Sequence, residues 1–261
     1  MTLGSAVAAE WWKLRSAHWM WYLVAGLVAA VLVPAALARD AVNVWDHARP
    51  AIRAHIQITP LWVLASLIVD LVTAAMGVLT VTREYASGMM RVSLAAVPQR
   101  GRLMLAKSLT VAGVALGAGA AGIFSAYAVT AAIVNGRPIP YLTVPLAHEI
   151  PVLLSLTVAA LVFGILGLGL GFLWRSAEGA FLTLLGFLYV FPMVALHLPG
   201  PWNERLAAVM IPALAGELSG APGLAAVGHA ILSPGWALAA LIGYVVGSLA
   251  AVHFVFRRRD V

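Results

Sequence analysis

Residues 101–108, GRLMLAKS, have nearly the residue types and spacing of a phosphate-binding loop. Such a loop follows the pattern G-x-x-x-x-G-K-[ST], in which the second glycine lets backbone N–H groups wrap the phosphates. Ala106 stands at that glycine position, no strand-like segment precedes it, and the segment opens an apolar helix instead. The chain is therefore not expected to bind nucleotide through this segment.

Asp70 is the one acidic residue well inside a long apolar run. A carboxylate at the centre of a bilayer costs about 2.5 to 3.5 kcal/mol on insertion scales, so it is expected to face protein or water. A contact with substrate or cation and a buried, hydrogen-bonded packing role both stay open. No lysine or arginine lies at a matching depth, which leaves water or hydroxyls such as Ser125, Thr157 or Thr183 as partners.

Other residue types that carry chemistry form no recognisable site. The chain has no cysteine, which removes thiolate nucleophiles and cysteine-based metal sites, and no metalloprotease, serine-hydrolase or paired-carboxylate motif occurs. Histidines near the predicted outer side show no i, i+4 pair, so scattered interfacial histidines are favoured over a metal site. These are His47, His55, His148, His197 and His229. We predict no catalytic residue, metal or cofactor on this chain, and no enzyme activity.

Composition predicts the class of fold. Of the 261 residues, 62% are hydrophobic and only 10% are charged, and the mean hydropathy is +0.96. This is more apolar surface than a soluble core of this size needs, so an all-α, polytopic membrane protein with the lipid bilayer as its solvent is predicted. The excess of basic residues is then expected in cytoplasmic loops and not in a nucleic-acid site.

Six apolar runs are long enough to cross a hydrocarbon core of about 30 Å as helices. They cover about residues 19–38, 60–82, 105–134, 150–174, 180–197 and 234–256, all within one transmembrane domain, 1–261. Residues 1–18, with Trp11 and Trp12, are predicted to form a helix in the inner membrane interface. Residues 199–233 hold two half-length apolar segments, 206–216 and 223–232, which predict an external re-entrant hairpin. A single helix there, giving seven spans, is the alternative.

The distribution of charge favours six spans over seven. Six spans put 11 of the 16 basic residues on the inner side, as the positive-inside rule requires, and predict a plasma-membrane protein with both termini cytoplasmic. The inner residues are Lys13, Arg15, Arg83, Arg91, Arg100, Arg102, Lys107, Arg175, Arg257, Arg258 and Arg259, and the outer ones are Arg39, Arg49, Arg53, Arg137 and Arg205.

Residues 83–107 form a basic island between two apolar runs, with 83–104 predicted as a cytoplasmic loop. Gly88 and Pro98 break a helical pattern in which apolar residues surround Arg91. A short amphipathic helix at this place fits a groove on a soluble partner, with apolar side chains for affinity and charges for register. A solvated basic loop obeys the positive-inside rule equally well, and both interpretations stay open on chemistry alone.

The same segment carries a motif. It reads E-Y-x-x-G, then two apolar turns, then P-x-R-x-x-x-L-x-x-K, and resembles the first cytoplasmic loop of ABC-2 type ABC-transporter permeases. The opening AAEWWKLRS and the closing FRRRD are similar to the ends of small actinobacterial members, and Met89 departs from the threonine that is common there. The motif residues are Glu84, Tyr85, Gly88, Pro98, Arg100 and Lys107, with Met104 where leucine is commoner.

The resemblance implies the permease subunit of an exporter, working as a homodimer or with a second permease chain. A separate ABC ATPase would hold ATP and Mg, residues 83–107 would include the coupling helix, and 199–233 would be the external re-entrant element. Glu84→Lys or Arg91→Glu is then expected to uncouple ATP turnover from transport without preventing insertion. An ATP-independent channel or scaffold and a membrane-bound enzyme are the alternatives. The predicted coupling residues are Arg83, Glu84, Tyr85, Gly88, Arg91, Pro98, Arg100 and Arg102.

Overall fold

The computed structural model describes residues 2–53, 58–220 and 232–258, and these residues form helices joined by turns. In chain order the helices are α1 (Leu3–Ser16), α2 (Met20–His47), α3 (Pro50–Arg53), α4 (Leu61–Ala86), α5 (Met89–Ala96), α6 (Arg100–Val134), α7 (Leu146–Trp174), α8 (Ala177–Leu185), one π-helical turn (Gly186–Val190), α9 (Phe191–Leu196), α10 (Trp202–Ala208), α11 (Ile211–Ser219) and α12 (Pro234–Arg258).

Six helical stretches in this described part are long and apolar enough to cross a membrane. Four are α2, α4, α6 and α7, the fifth is the continuous stretch Ala177–Ala195, and the sixth is Pro234–Val255 in α12. The predicted all-α, polytopic fold with six spans is confirmed.

Several helices extend beyond the apolar runs that predicted them. α2 continues to His47 and not to residue 38, α4 ends at Ala86 and not at residue 82, and α6 begins at Arg100 and not at residue 105. Backbone hydrogen bonds propagate a helix, and polar side chains such as Asp40 do not interrupt them, so hydropathy alone misplaces helix ends. The predicted cytoplasmic loop over 83–104 contains the end of α4, all of α5 and the start of α6, and the short helix expected within it is α5.

The centre of the bundle is the contact between α4 and α7. A Cβ atom added at Gly77 would overlap the backbone of Gly164, and one added at Gly167 would overlap the backbone of Ala74. Small residues at such positions let two helix backbones approach closely inside a membrane. The large side chains of Trp62 and Phe163 are fully buried beside this contact and fill the core.

The first and last described helices meet at the same end of the bundle. One apolar cluster joins Ala6 of α1, Met90 of α5, Phe172 of α7 and Val252 near the end of α12. This arrangement fits an even number of spans, and the seven-span alternative would separate α1 from the end of α12. We call this end, which holds most of the described arginine and lysine residues, the basic end.

Residues 199–220 contain two short helices, and the chain bends between them at Val209 and Met210. Pro212 in the first turn of α11 prevents α10 from continuing through this point, because proline lacks the N–H that a helix interior needs. α11 packs against α7 and α12. The predicted apolar segment 206–216 is therefore divided between two helices, and 223–232 lies, except for Leu232, outside the described residues.

Candidate functional site

A glycine turn and a proline fix the two ends of α5. Gly88 has a φ of +72°, the left-handed conformation that other residues adopt only with strain, and it reverses the chain after α4. At the other end Val97 has a φ of −128° and a ψ of +82°, outside the helical region that a residue before proline avoids, and Pro98 follows. The sequence pattern between Gly88 and Pro98 is thus an eight-residue helix in the structure.

The two faces of α5 differ in their surroundings. Met90 and Ser93 point into the protein and are buried. Met89 is 45% exposed and Val92 is 62% exposed, and both border a cavity of about 110 Å³ between α5 and α1. Arg91 lies on the face opposite Ser93, and its side chain is also exposed. Apolar side chains of this size on a solvated helix face indicate a contact surface.

Beneath α5 lies a buried group of charged side chains centred on Lys107 of α6. The side chain of Lys107 is 0% exposed, and its Nζ atom lies 2.7 Å from Oε2 of Glu10 and 2.7 Å from Oε1 of Glu84. Glu10 belongs to α1 and Glu84 to the last turn of α4. A single ammonium group therefore joins three helices.

Lys13 of α1 closes this group from its outer side. Its Nζ atom donates to Oε1 of Glu10 at 2.6 Å, to Oε1 of Glu84 at 3.1 Å and to the hydroxyl of Ser93 at 2.8 Å. Because Ser93 is on the buried face of α5, this last contact attaches α5 to α1. We call Glu10, Lys13, Glu84, Ser93 and Lys107 the charge cluster, in which two cations balance two carboxylates.

The charge cluster sets the ionisation of Lys13. Burial opposes the charged form of its ammonium group, but hydrogen bonding and charge attraction from Glu10, and then from Glu84, outweigh burial and raise the pKa of Lys13. A raised lysine pKa stabilises the fold at every pH below the unfolded value, 10.5, and that contribution is lost only as pH rises through the folded value. Lys13 is accordingly charged at neutral pH.

The predicted coupling residues divide into a surface group and a buried group. Arg83, Gly88, Arg91 and Pro98 are exposed around α5, whereas Arg100 and Arg102 are half-buried in the first turn of α6. Tyr85 is half-buried, and the guanidinium carbon of Arg175 lies 5.0 Å from the centre of its ring. The eighth predicted residue, Glu84, belongs to the charge cluster.

The burial of Glu84 changes the expectation for Glu84→Lys. The carboxylate accepts hydrogen bonds from both lysines, so a lysine here would put three cations around Glu10. Breaking a buried ion pair from one side typically costs about 3 to 5 kcal/mol, because a charge is left uncompensated. We therefore expect Glu84→Lys to disrupt assembly, in place of the clean uncoupling expected from sequence.

Sequence reasoning missed Glu10, Lys13 and Ser93 as members of the site. A signal was present for two of them, since Glu10 and Lys13 are spaced i, i+3 on one helix and lie on the predicted inner side. A second signal was the lysine at position 107, seven residues inside a long apolar helix, where a charge needs a partner. Nothing local marks Ser93.

Asp70 lies in α4 and is 3% exposed. Among the described residues its Oδ1 atom has no hydrogen-bond partner. The hydroxyls of Thr157 and Thr183 donate to carbonyls four residues earlier in their own helices, and Ser125 is exposed. The hydroxyls of Thr157 and Thr183 are thus used within their own helices, because threonine in a helix satisfies itself locally. Water stays open as the partner of Asp70.

Comparison of the chain with protein-family models and with curated proteins finds no match. Within residues 2–53, 58–220 and 232–258, no group of three or more histidine, aspartate or glutamate side chains is placed to hold a metal ion. The basic end combines the exposed side chains of α5 with a charge cluster that attaches α5 to α1, α4 and α6.

Proposed function

We propose that this chain is the membrane-spanning permease subunit of an ATP-binding-cassette exporter, and that a separate ABC ATPase chain docks on α5. The proposal rests on how α5 is attached to the rest of the protein. Its buried face is held by Ser93 to the charge cluster, and its free face presents Met89, Arg91 and Val92 to solvent.

The free face of α5 has the composition of a docking helix. Exposed apolar side chains enter a groove on a partner and supply affinity, whereas cations at the rim set the register and the rate of association. Arg83 and Arg91 are both exposed beside this face, so the proposed partner groove is apolar with an acidic rim.

The charge cluster supports coupling as well as docking. A force applied to α5 reaches α1, α4 and α6 together, because the hydrogen bond of Ser93 connects α5 to the ion pairs that join those three helices. ATP-driven closure of the partner would then favour one arrangement of the helices over another, which is a population shift carried through this contact. Hydrolysis of ATP with Mg belongs to the partner chain in this proposal.

The proposed function also implies how the chain is oriented in the membrane and how many permease chains form the exporter. The basic end lies in the cytoplasm of the cell, against the plasma membrane, as the positive-inside rule favours. A second permease chain, identical or related, completes the pathway beside this one.

Arg91→Glu tests the docking proposal. The full-length chain is reconstituted in proteoliposomes with the ATPase encoded beside it or purified with it, and stimulation of ATP turnover is measured. Reversal of an exposed interfacial charge is expected to weaken stimulation about fivefold, corresponding to roughly 1 kcal/mol. Arg39→Glu is the matched control, because Arg39 is exposed at the opposite end of the bundle, and it should leave stimulation unchanged.

Equal stimulation by the wild-type chain and Arg91→Glu would contradict docking on α5. Transport by the reconstituted chain without any ATPase would replace the proposal with an ATP-independent channel.

A further inference from the structure

Two adjoining cavities lie on the side of the bundle formed by α1, α2 and α4. One of about 220 Å³ opens at the basic end between α1 and the last turns of α4. The other, of about 70 Å³, lies deeper, between the first turn of α2 and the middle of α4. Trp19 and Leu79 line both, so the two cavities are neighbours along α4. We call the pair the α1–α2–α4 cleft.

The wide part of the cleft has one charged wall and one apolar wall. Lys13, Glu10 and Glu84 of the charge cluster and the exposed Arg83 form the first, and Leu14 contributes to the second. The two carboxylates are balanced by Lys13 and Lys107, whereas Arg83 has no carboxylate partner among the described residues. The mouth of the cleft therefore carries a net charge of about +1, available to an anion.

The narrow part of the cleft is apolar and lies within the membrane-spanning helices. Its lining along α4 extends from Leu79 to Val72, which is about 10 Å at 1.5 Å per residue. α2 and α4 close its deep end, where a Cβ added to Gly26 would overlap the side chain of Val72. The remaining lining residues are Tyr22, Leu23, Ala75 and Met76.

We propose that the α1–α2–α4 cleft binds one anionic phospholipid from the leaflet at the basic end. The phosphate lies at Arg83 and an acyl chain lies along the groove between Leu79 and Val72. Trp19 and Tyr22 have the amphipathic rings that favour the headgroup level, where these two parts of the cleft meet. A free phosphate ion would fill only the mouth and leave the apolar groove without an occupant, so the membrane is the source of the ligand.

This lipid site does not require the proposed transport function, since it needs only that the six helices lie in a bilayer, although it shares Arg83 with the proposed docking surface. Its position gives the lipid a structural role. The headgroup contacts α1 and the end of α4, and the acyl chain lies between α2 and α4, so one bound molecule links the interfacial helix to the first two spans.

Native mass spectrometry of the full-length protein tests the headgroup site. The protein is purified in detergent and mixed with phosphatidylglycerol or phosphatidylcholine of identical acyl chains. Near a membrane surface one arginine is worth about a fivefold preference for an anionic lipid, so the wild-type chain should retain about five times more phosphatidylglycerol. Arg83→Gln should remove this preference. Arg91→Gln should keep it, because Arg91 is an exposed arginine that lines neither cavity.

A second variant tests the acyl-chain groove. Ala75→Phe fills the narrow cavity and should reduce retention of both lipids, whereas Ala121→Phe, at an exposed position of α6 outside the cleft, should not. Equal retention of the two lipids by the wild-type chain, or an unchanged preference in Arg83→Gln, would overturn the proposal. Unchanged lipid retention by Ala75→Phe would show only surface attraction and no acyl-chain groove. Displacement of phosphatidylglycerol by millimolar inorganic phosphate would identify a free-anion site. Either result overturns the assignment.

Discussion

Lys107 is a cation without access to water, seven residues inside a membrane-spanning helix. An isolated ammonium group in such a place would lose its proton or unfold its surroundings, since burial of an unpaired charge is very costly. Two carboxylates at 2.7 Å make the burial tolerable. Such a pair contributes little net stability compared with apolar residues of the same volume, but removing one partner is expensive. Removing Lys107 alone should therefore cost more stability than the intact ion pairs contribute over an apolar core of the same volume.

Lys107→Met should destabilise the protein by about 3 to 5 kcal/mol, because Glu10 and Glu84 then share only Lys13. Thermal unfolding in detergent micelles measures the loss. Lys13→Met is the matched comparison: its side chain is 35% exposed whereas that of Lys107 is 0% exposed, so its loss should be smaller than that of Lys107→Met. Equal melting temperatures for Lys107→Met and the wild-type chain would show that the charge cluster does not hold these helices together.

At the scale of helices, the sequence predicts α5 and the six spans, but it does not predict which side chains meet between helices. Gly88 and Pro98 mark its ends through local chemistry, and six apolar runs of membrane-spanning length give the six long helices. The charge cluster escapes such prediction, because Lys107 and Glu10 are 97 residues apart and only the packing of α1 on α6 brings them together. Helix ends such as His47 escape it as well, because an α-helix can continue into polar sequence.

Gly88→Ala should destabilise the turn between α4 and α5 by about 1 to 2 kcal/mol, because a Cβ atom is disfavoured at a φ of +72°. The same substitution at Gly101 is the matched control. Gly101 lies in the helical part of α6, with open space around a new Cβ, and alanine there should leave stability unchanged or raise it by up to about 1 kcal/mol. Thermal unfolding and protease sensitivity between α4 and α5 measure both. Similar behaviour of the two variants would contradict a conformational role for Gly88.

At the scale of the whole molecule, the two ends of the bundle differ in their ionic contacts. The basic end holds the buried charge cluster, and the far end holds an exposed ion pair. At the far end Nε of Arg137 lies 2.9 Å from Oδ1 of Asp46, an exposed pair that joins the loop after α6 to the end of α2. Exposed pairs of this kind contribute about 0 to 1 kcal/mol. Among the described ion pairs, the strong constraint on how the helices meet therefore lies at the basic end.

Site-directed cysteine labelling tests the orientation of the molecule, because the chain contains no cysteine of its own. Val92→Cys on the exposed face of α5 should react with a membrane-impermeant maleimide only in inside-out vesicles. Pro140→Cys, exposed in the loop between α6 and α7, should react only from the outside of intact cells. The reverse pattern would place the basic end outside and would remove α5 from reach of a cytoplasmic ATPase.

The charge cluster also imposes an order on biogenesis. α1 is synthesised first, yet its partner Lys107 emerges 97 residues after Glu10, which corresponds to about 5 to 20 seconds at ordinary translation rates. During that interval the first two spans leave the ribosome, and until Glu84 emerges at the end of the second span Glu10 and Lys13 have only each other as ionic partners. A nascent chain that ends before residue 107 should therefore expose α1 to protease, whereas one that includes the whole of α6 should protect it. Ion pairing of α1 with the third span, through Lys107 and Glu10, therefore fixes the position of α1.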